Sequence, residues 1–398
     1  MPDQSSAASS SKSNNAGFLS LGLKPFFLGV ALFAIVAIGL WALSLLGLNL
    51  ITPTYGMHIW HMHEMLFGYG SAVLAGFLLT AVPNWTGRAP LSGFGLGALW
   101  LVWLAGRAAM MLGAPPLELV TLDVSFLLLV TLIVTREIVI ARNWRNLVVL
   151  APILLIALGN ATFHVEAITS GAPEYGPRIG LGGLVFLVML IGGRIIPAFS
   201  RNWLIKTGAT HLPAMFSRLD AIVLLLSLAA LALWVLIPAG PLTGVALGVI
   251  ALLHLLRLMR WCGLATLPNP LLFVLHAAYA MIPTGLALLG LAAGWNNAAL
   301  YIAAQHLLGI GVIGAMTLAV MSRASLGHTG QALRADRWLQ AGLTSIFLSA
   351  FARVLAEFSF SQSFLFTLSA LFWITGFMLF IARIGPALLA PGRHQHQT

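Results

Sequence analysis

Residues 58–70 read His58-Ile59-Trp60-His61-Met62-His63-Glu64-Met65-Leu66-Phe67-Gly68-Tyr69-Gly70 and run directly into an apolar stretch that ends near residue 82. Three imidazoles, one carboxylate and two thioethers therefore stand at the mouth of a segment long enough to cross a bilayer, for which about 20 apolar residues suffice. Ionisable side chains are costly in lipid and mark functional positions by default. Imidazole is also the commonest metal and haem ligand among side chains. The stretch predicts a membrane helix whose entrance binds something.

The rest of the chain fits that setting. Of 398 residues, 60% are hydrophobic and only 8% charged, with a mean hydropathy of +0.97. A soluble domain carries about 25% charged residues, so an ordinary globular protein is excluded. Apolar runs of spanning length occur at 25–47, 58–82, 95–113, 118–140, 147–168, 178–198, 216–237, 241–261, 270–293, 298–322, 336–357 and 363–384. The expected fold is all-α, a polytopic membrane bundle of 12 transmembrane helices forming a single domain over residues 18–385. The Ser/Asn/Ala-rich residues 1–17 lack an apolar core or signal-peptide layout, and a disordered cytoplasmic tail is expected there. A second cytoplasmic tail is expected over 386–398.

Orientation follows from the basic residues. Of 20 Lys and Arg, all but Arg107, Arg178 and Arg353 fall at the termini or at even-numbered connections. That asymmetry puts both termini in the cytoplasm. A formal charge of +10 also raises nucleic-acid binding, but that needs a basic face, and these charges are dispersed as loop anchors; no nucleic-acid partner is expected. The single Cys262 excludes an internal disulfide and an all-cysteine metal site, and an inert thiol is expected.

At about 1.5 Å per helical residue, His63, His164 and His306 fall in the outer half of spans 2, 5 and 10, and His254 and His276 in the inner half of spans 8 and 9. His58 and His61, three apart, share a helix face with Met57 and Met65, whereas His63 points elsewhere. The first set suits copper and a lone inward imidazole suits haem iron; interfacial histidines bonded to water are the plain alternative. The expectation is haem b on His63 and His306, with His164 as the replacement ligand, and a separate copper-type site on His58 and His61. Met65, His63, His164 and His306 are further metal-ligand candidates. Arg107, Arg178 and Arg353 lie outside the cytoplasmic set, and a buried guanidinium needs an anion: a haem propionate, or Glu118, Asp123, Glu166, Glu174 or Glu357. Gly309, Gly311 and Gly314 admit either a flat macrocycle or tight helix packing. His276 is open between a second cofactor, a proton relay and a structural role; His254 reads as a packing residue. Glu64 is a candidate proton donor, or alternatively the residue that orients a ligand histidine.

Spans 2, 6 and 10 end in similar short runs, Val82-Pro83-Asn84-Trp85-Thr86-Gly87-Arg88, Ile196-Pro197-Ala198-Phe199-Ser200-Arg201 and Val320-Met321-Ser322-Arg323. This four-helix period leaves open a plan of three four-helix units, the plan of haem–copper oxidases. The histidine set of a haem–copper active site is not encoded: span 6 has no histidine, span 7 no His pair, and span 10 one His.

The run His58–Arg88 resembles the NnrS family. So do Leu23-Lys24-Pro25-Phe26-Phe27, Asn160–His164, Gly192-Gly193-Arg194-Ile195-Ile196-Pro197 and Met316–Gly330. Gln331 departs from the basic residue expected after His328-Thr329-Gly330. The resemblance covers essentially the whole chain. It implies a multi-pass protein of the bacterial inner (cytoplasmic) membrane that contains haem and copper and is tied to nitric oxide metabolism, denitrification and tolerance of nitrosative stress.

The leading expectation is therefore a nitric oxide reductase-type oxidoreductase forming nitrous oxide, with one or two haems b, copper possible, and Glu64 with nearby histidines supplying protons. Its partners would be nitric oxide, the lipid bilayer and a quinol or periplasmic electron carrier, since no CxxCH or nucleotide-binding motif occurs; a homodimer is left open. A non-catalytic haem/copper sensor or buffer of nitric oxide is the alternative. A transporter, for which twelve helices is also a common layout, is the third reading.

Overall fold

The computed structural model describes residues 17–390, so most of both expected tails lies outside the described residues. All twelve expected spans are helices. They are α1 (Leu23–Leu45), α2 (Met57–Thr86), α3 (Gly93–Met111), α4 (Pro116–Ile140), α5 (Trp144–Thr169), α6 (Tyr175–Lys206), α7 (Arg218–Leu236), α8 (Pro241–Met259), α9 (Pro270–Trp295), α10 (Ala298–His328), α11 (Arg337–Ala356) and α12 (Gln362–Leu389). Bilayer-spanning chains satisfy backbone polar groups within each helix, and among the described residues every regular element is helical. The largest boundary difference is in α6, which runs eight residues past the expected end at 198. Hydropathy reports the lipid-facing stretch and not the polar turns that continue a helix beyond it. For the same reason α12 extends to Leu389, into the stretch expected as tail.

Local signals set the helix ends. α4, α8 and α9 begin with proline in the first turn, where its missing N–H costs nothing. Ser217 and Asp220 close a capping box on α7, and α2 stops at Gly87 in the left-handed conformation, φ 68°, which a glycine adopts without strain.

Three helices form the centre. α2, α6 and α10 are the longest, at 30, 32 and 31 residues, and bury 78%, 78% and 67% of their most apolar windows, against 28–61% for the others. They recur at every fourth position, as three four-helix units would place them. An apolar cavity of about 70 Å³ lies where they meet, lined by Gly70, Val73, Leu184, Ile191, Ile313 and Met316 among others. The Tyr69 hydroxyl hydrogen-bonds Thr317 Oγ1 across α2 and α10. The remaining helices surround this core and expose leucine and isoleucine side chains such as Leu132, Leu225 and Leu252 outward, as lipid contact requires.

Candidate metal centres at one end of the bundle

His63 and His306 each immediately precede a π-helical segment, Glu64–Tyr69 in α2 and Leu307–Gly314 in α10. Such bulges shift the side chains that follow and are frequent at functional sites. Gly68 lies within the first: an added Cβ there would run into the side chains of Arg107 and Glu64. The glycine makes room for that pair.

The first cluster is buried and saturated with hydrogen bonds. His63, Glu64 and His164 are fully buried, Asp123 and Asn160 nearly so. His63 Nδ1 lies 2.9 Å from Glu64 Oε1, and its Nε2 lies 2.9 Å from Asn160 Oδ1 and 3.1 Å from Asp123 Oδ2. His164 Nε2 is 3.0 Å from the same Asp123 oxygen, and its Nδ1 is 3.0 Å from the Tyr55 hydroxyl. Asn160 donates Nδ2–H to Asp123 Oδ2 at 2.8 Å. Arg107 donates Nη1–H to both oxygens of Glu64, at 2.9 and 2.8 Å, and pairs with Asp123 through Nη2. Tyr55 lies in the connection before α2, where burial pushes its phenol up to about 12. One ligand atom from each of His63, Asp123 and His164 lies within 4.8 Å of the others.

The second cluster is half-open. His58 is exposed, and His61 and His306 are half-buried. The His61 ring stacks on Trp41 of α1, centroids 4.7 Å apart and planes 9° apart. His61 Nδ1 is buried without a hydrogen-bond partner. His306 donates Nδ1–H to Ile302 O at 2.9 Å, so the neutral ring keeps its lone pair on Nε2. His58, His61, His306 and Arg353 are electrostatic neighbours. Arg353 pairs with Glu357 and stands over Phe366, 4.4 Å to the ring centroid.

The histidines of the expected haem pair thus sit in different clusters, His63 with His164 and Asp123, His306 with His58 and His61. Met65 is half-buried beside the core. Arg107, Arg178 and Arg353 each have a protein carboxylate: Arg107 has Glu64 and Asp123, Arg353 has Glu357, and Arg178 has Glu174 at 3.8 Å. Gly314 serves packing, since an added Cβ would meet Trp373 at 2.6 Å, whereas Gly309 faces open space.

At the opposite end, His276 Nδ1 lies 3.0 Å from Leu272 O, and its Nε2 lies 3.3 Å from Trp261 O and 3.4 Å from Ser200 Oγ. His254 has Ser227 Oγ at 2.9 Å and the Tyr279 hydroxyl at 2.8 Å, as a packing residue would. Beside it Arg257 is fully buried, donates Nε–H to Asp220 Oδ1 at 2.8 Å and reaches Met189 O at 3.0 Å. This ion pair ties α6, α7 and α8 together. Burial pushes the Cys262 thiol up, which lowers its reactivity.

In the sequence Asp123 reads only as an arginine's partner, and Tyr55 and Trp41 do not stand out. A carboxylate in the middle of an apolar span was the available signal for Asp123; Tyr55 and Trp41 carry none. The family described as NnrS protein matches residues 17–392, nearly the whole chain. No curated protein matches the sequence.

Proposed function

The chain belongs to the NnrS family, and on that premise we propose that it handles nitric oxide in the bacterial cytoplasmic membrane, reducing it to nitrous oxide at a haem b or copper centre held by His61 and His306, with His58 beside them. The observation that carries this reading is the pair of uncommitted ring nitrogens, His61 Nδ1 without a partner and His306 Nε2 left free by the bond from Nδ1 to Ile302 O.

These residues fit the group. Neutral imidazole binds haem iron and copper alike, and a backbone bond on the far nitrogen fixes the ligand tautomer. Stacking on Trp41 fixes the plane of His61. The Arg353 guanidinium, paired with Glu357 through Nη1, stands beside the cluster. When bound, haem or copper supplies nitric oxide binding and electron transfer.

The overall reaction joins two nitric oxide molecules with two electrons and two protons to give nitrous oxide and water. Electrons come from a separate quinol or periplasmic carrier, because the chain holds no electron-transfer motif. Nitric oxide is small and neutral, and the apolar cavity between α2, α6 and α10 suits such a molecule. Glu64 has the holding role here: Arg107 engages both of its oxygens and His63 one, so its carboxylate orients His63.

The test is a reduced-minus-oxidised optical spectrum of the detergent-purified protein, before and after nitric oxide, together with nitrous oxide measurement under a reductant. Sustained consumption with nitrous oxide formation supports the reductase. A spectral shift at one equivalent without turnover makes the protein a sensor or buffer. A preparation with neither a haem band nor copper overturns the site.

A further inference from the structure

We propose that the buried cluster is a second, non-haem metal site, binding a divalent first-row ion of the iron(II) or zinc(II) type through His63 Nε2, His164 Nε2 and Asp123 Oδ2. It involves other residues than the proposed nitric oxide centre and stands whether or not that reading holds.

Adjacent donor atoms about 2.1 Å from a common ion, at right angles, stand about 3 Å apart. Asp123 Oδ2 lies 3.0 Å from His164 Nε2 and 3.1 Å from His63 Nε2. Asn160 Oδ1, 2.9 Å from His63 Nε2, is placed as a neutral fourth donor. Two imidazoles and one carboxylate form the set typical of non-haem iron(II), and zinc accepts the same atoms.

The surroundings match a metal site as well. A ligand histidine characteristically donates its other N–H to a carboxylate or similar acceptor, which fixes the tautomer. His63 Nδ1 has Glu64 Oε1 at 2.9 Å, and His164 Nδ1 has the Tyr55 oxygen at 3.0 Å. Arg107 and the Asn160 amide hold the carboxylates in place.

Hydrogen-bond accounting shows that a positive charge is missing. His63 Nδ1 faces a carboxylate oxygen and must carry a proton. Its Nε2 then points a lone pair at two further acceptors, Asp123 Oδ2 and Asn160 Oδ1. Two carboxylates share one guanidinium in a site closed to water, and an uncompensated buried charge is strongly disfavoured. A cation among these acceptors resolves both problems. What favours a metal ion is the three-donor set itself, two Nε2 atoms and one carboxylate oxygen all within 4.8 Å of one another, which one ion uses whole.

The experiment uses the full-length protein in detergent, washed with chelator and analysed for first-row metals. Wild type is expected to retain about one iron or zinc atom per chain beyond haem iron and copper. The His61→Ala/His306→Ala double variant should keep that atom, and Asp123→Asn should lose it about tenfold or more. Cobalt(II) exchanged into wild type should give visible d–d bands, an arm that needs no variant to fold. Absence of both the extra metal and the cobalt bands, or full metal retention in folded Asp123→Asn, would overturn the site and leave a proton as the cation.

Discussion

His61 and His63 stand two residues apart on α2 and serve opposite sides of it. His61 lies flat on Trp41 of α1, centroids 4.7 Å apart, and His63 Nε2 faces Asp123 of α4 across 3.1 Å. Two helical residues turn the side chain through about 200°, so one short segment supplies a histidine to each of two different clusters. Proteins that need two metal or proton sites close together in a membrane gain from this, because few ionisable residues have to be brought into lipid.

If the half-open cluster holds the redox group, His61→Ala and His306→Ala should each lower haem or copper content, and the double variant should abolish it. His63→Ala should leave the spectrum of that centre in place. Pyridine haemochrome and copper analysis decide the matter; unchanged content in the double variant would move the centre elsewhere.

Replacing Glu64 by Gln keeps its size and one acceptor oxygen for His63 and Arg107, but removes its titration. Under the holding role, Glu64→Gln retains cofactor and consumes nitric oxide like wild type from about pH 6 to pH 8, the window of a carboxyl tuned for proton transfer. Normal cofactor content with lost consumption would instead make Glu64 the proton donor.

Arg107→Met removes the counter-charge of two buried carboxylates and should cost about 3–5 kcal/mol, the range for breaking a buried ion pair. Arg178→Met should cost far less, because its partner Glu174 is 71% exposed. Thermal denaturation monitored by size-exclusion recovery compares the two; equal losses would contradict the buried-pair account.

Asp336 lies just before α11 and pairs with Arg383 of α12. Desolvation alone would raise its carboxyl, but the Leu339 N–H, the Arg383 guanidinium and the Trp338 N–H together hold it below the usual carboxylate range. A depressed folded-state value means the stabilisation is full above about pH 4, the unfolded value, and fades as pH falls below it. Melting curves from neutral to acid pH should show a steeper acid loss for wild type than for Asp336→Asn; parallel curves would remove the effect.

Topology is testable with reporter fusions. Reporters in the 170–174 and 357–361 connections, between α5 and α6 and between α11 and α12, should report the non-cytoplasmic side. A cytoplasmic signal from either would reverse the orientation read from the arginines.

All twelve spans were legible because spanning is a local property: about 20 apolar residues cross a bilayer whatever their neighbours are. The histidines within the spans were legible for a related reason, since a costly polar residue stands out against an apolar run. Their partners were not. Asp123, Asn160 and His164 come from α4 and α5, and the contact with His63 depends on how each helix is rotated about its axis and how deep it sits. That rotation is set by side-chain packing and, in α2 and α10, by π-helical segments that the apolar pattern does not reveal.

The sequence by itself therefore determined a twelve-helix membrane protein, the shared end of the bundle at which His63, His164 and His306 lie, and the opposed faces of His61 and His63, because each follows from hydropathy and helical periodicity along one segment. Only the tertiary structure decided that His63 meets Asp123 and His164 while His306 joins His58 and His61, and that Arg107 is committed to Glu64 and Asp123. Those pairings join residues tens to hundreds of positions apart; side-chain packing brings the histidines together, and charge compensation in a medium without water fixes Arg107 on its two carboxylates, and both exist only once the helices have packed.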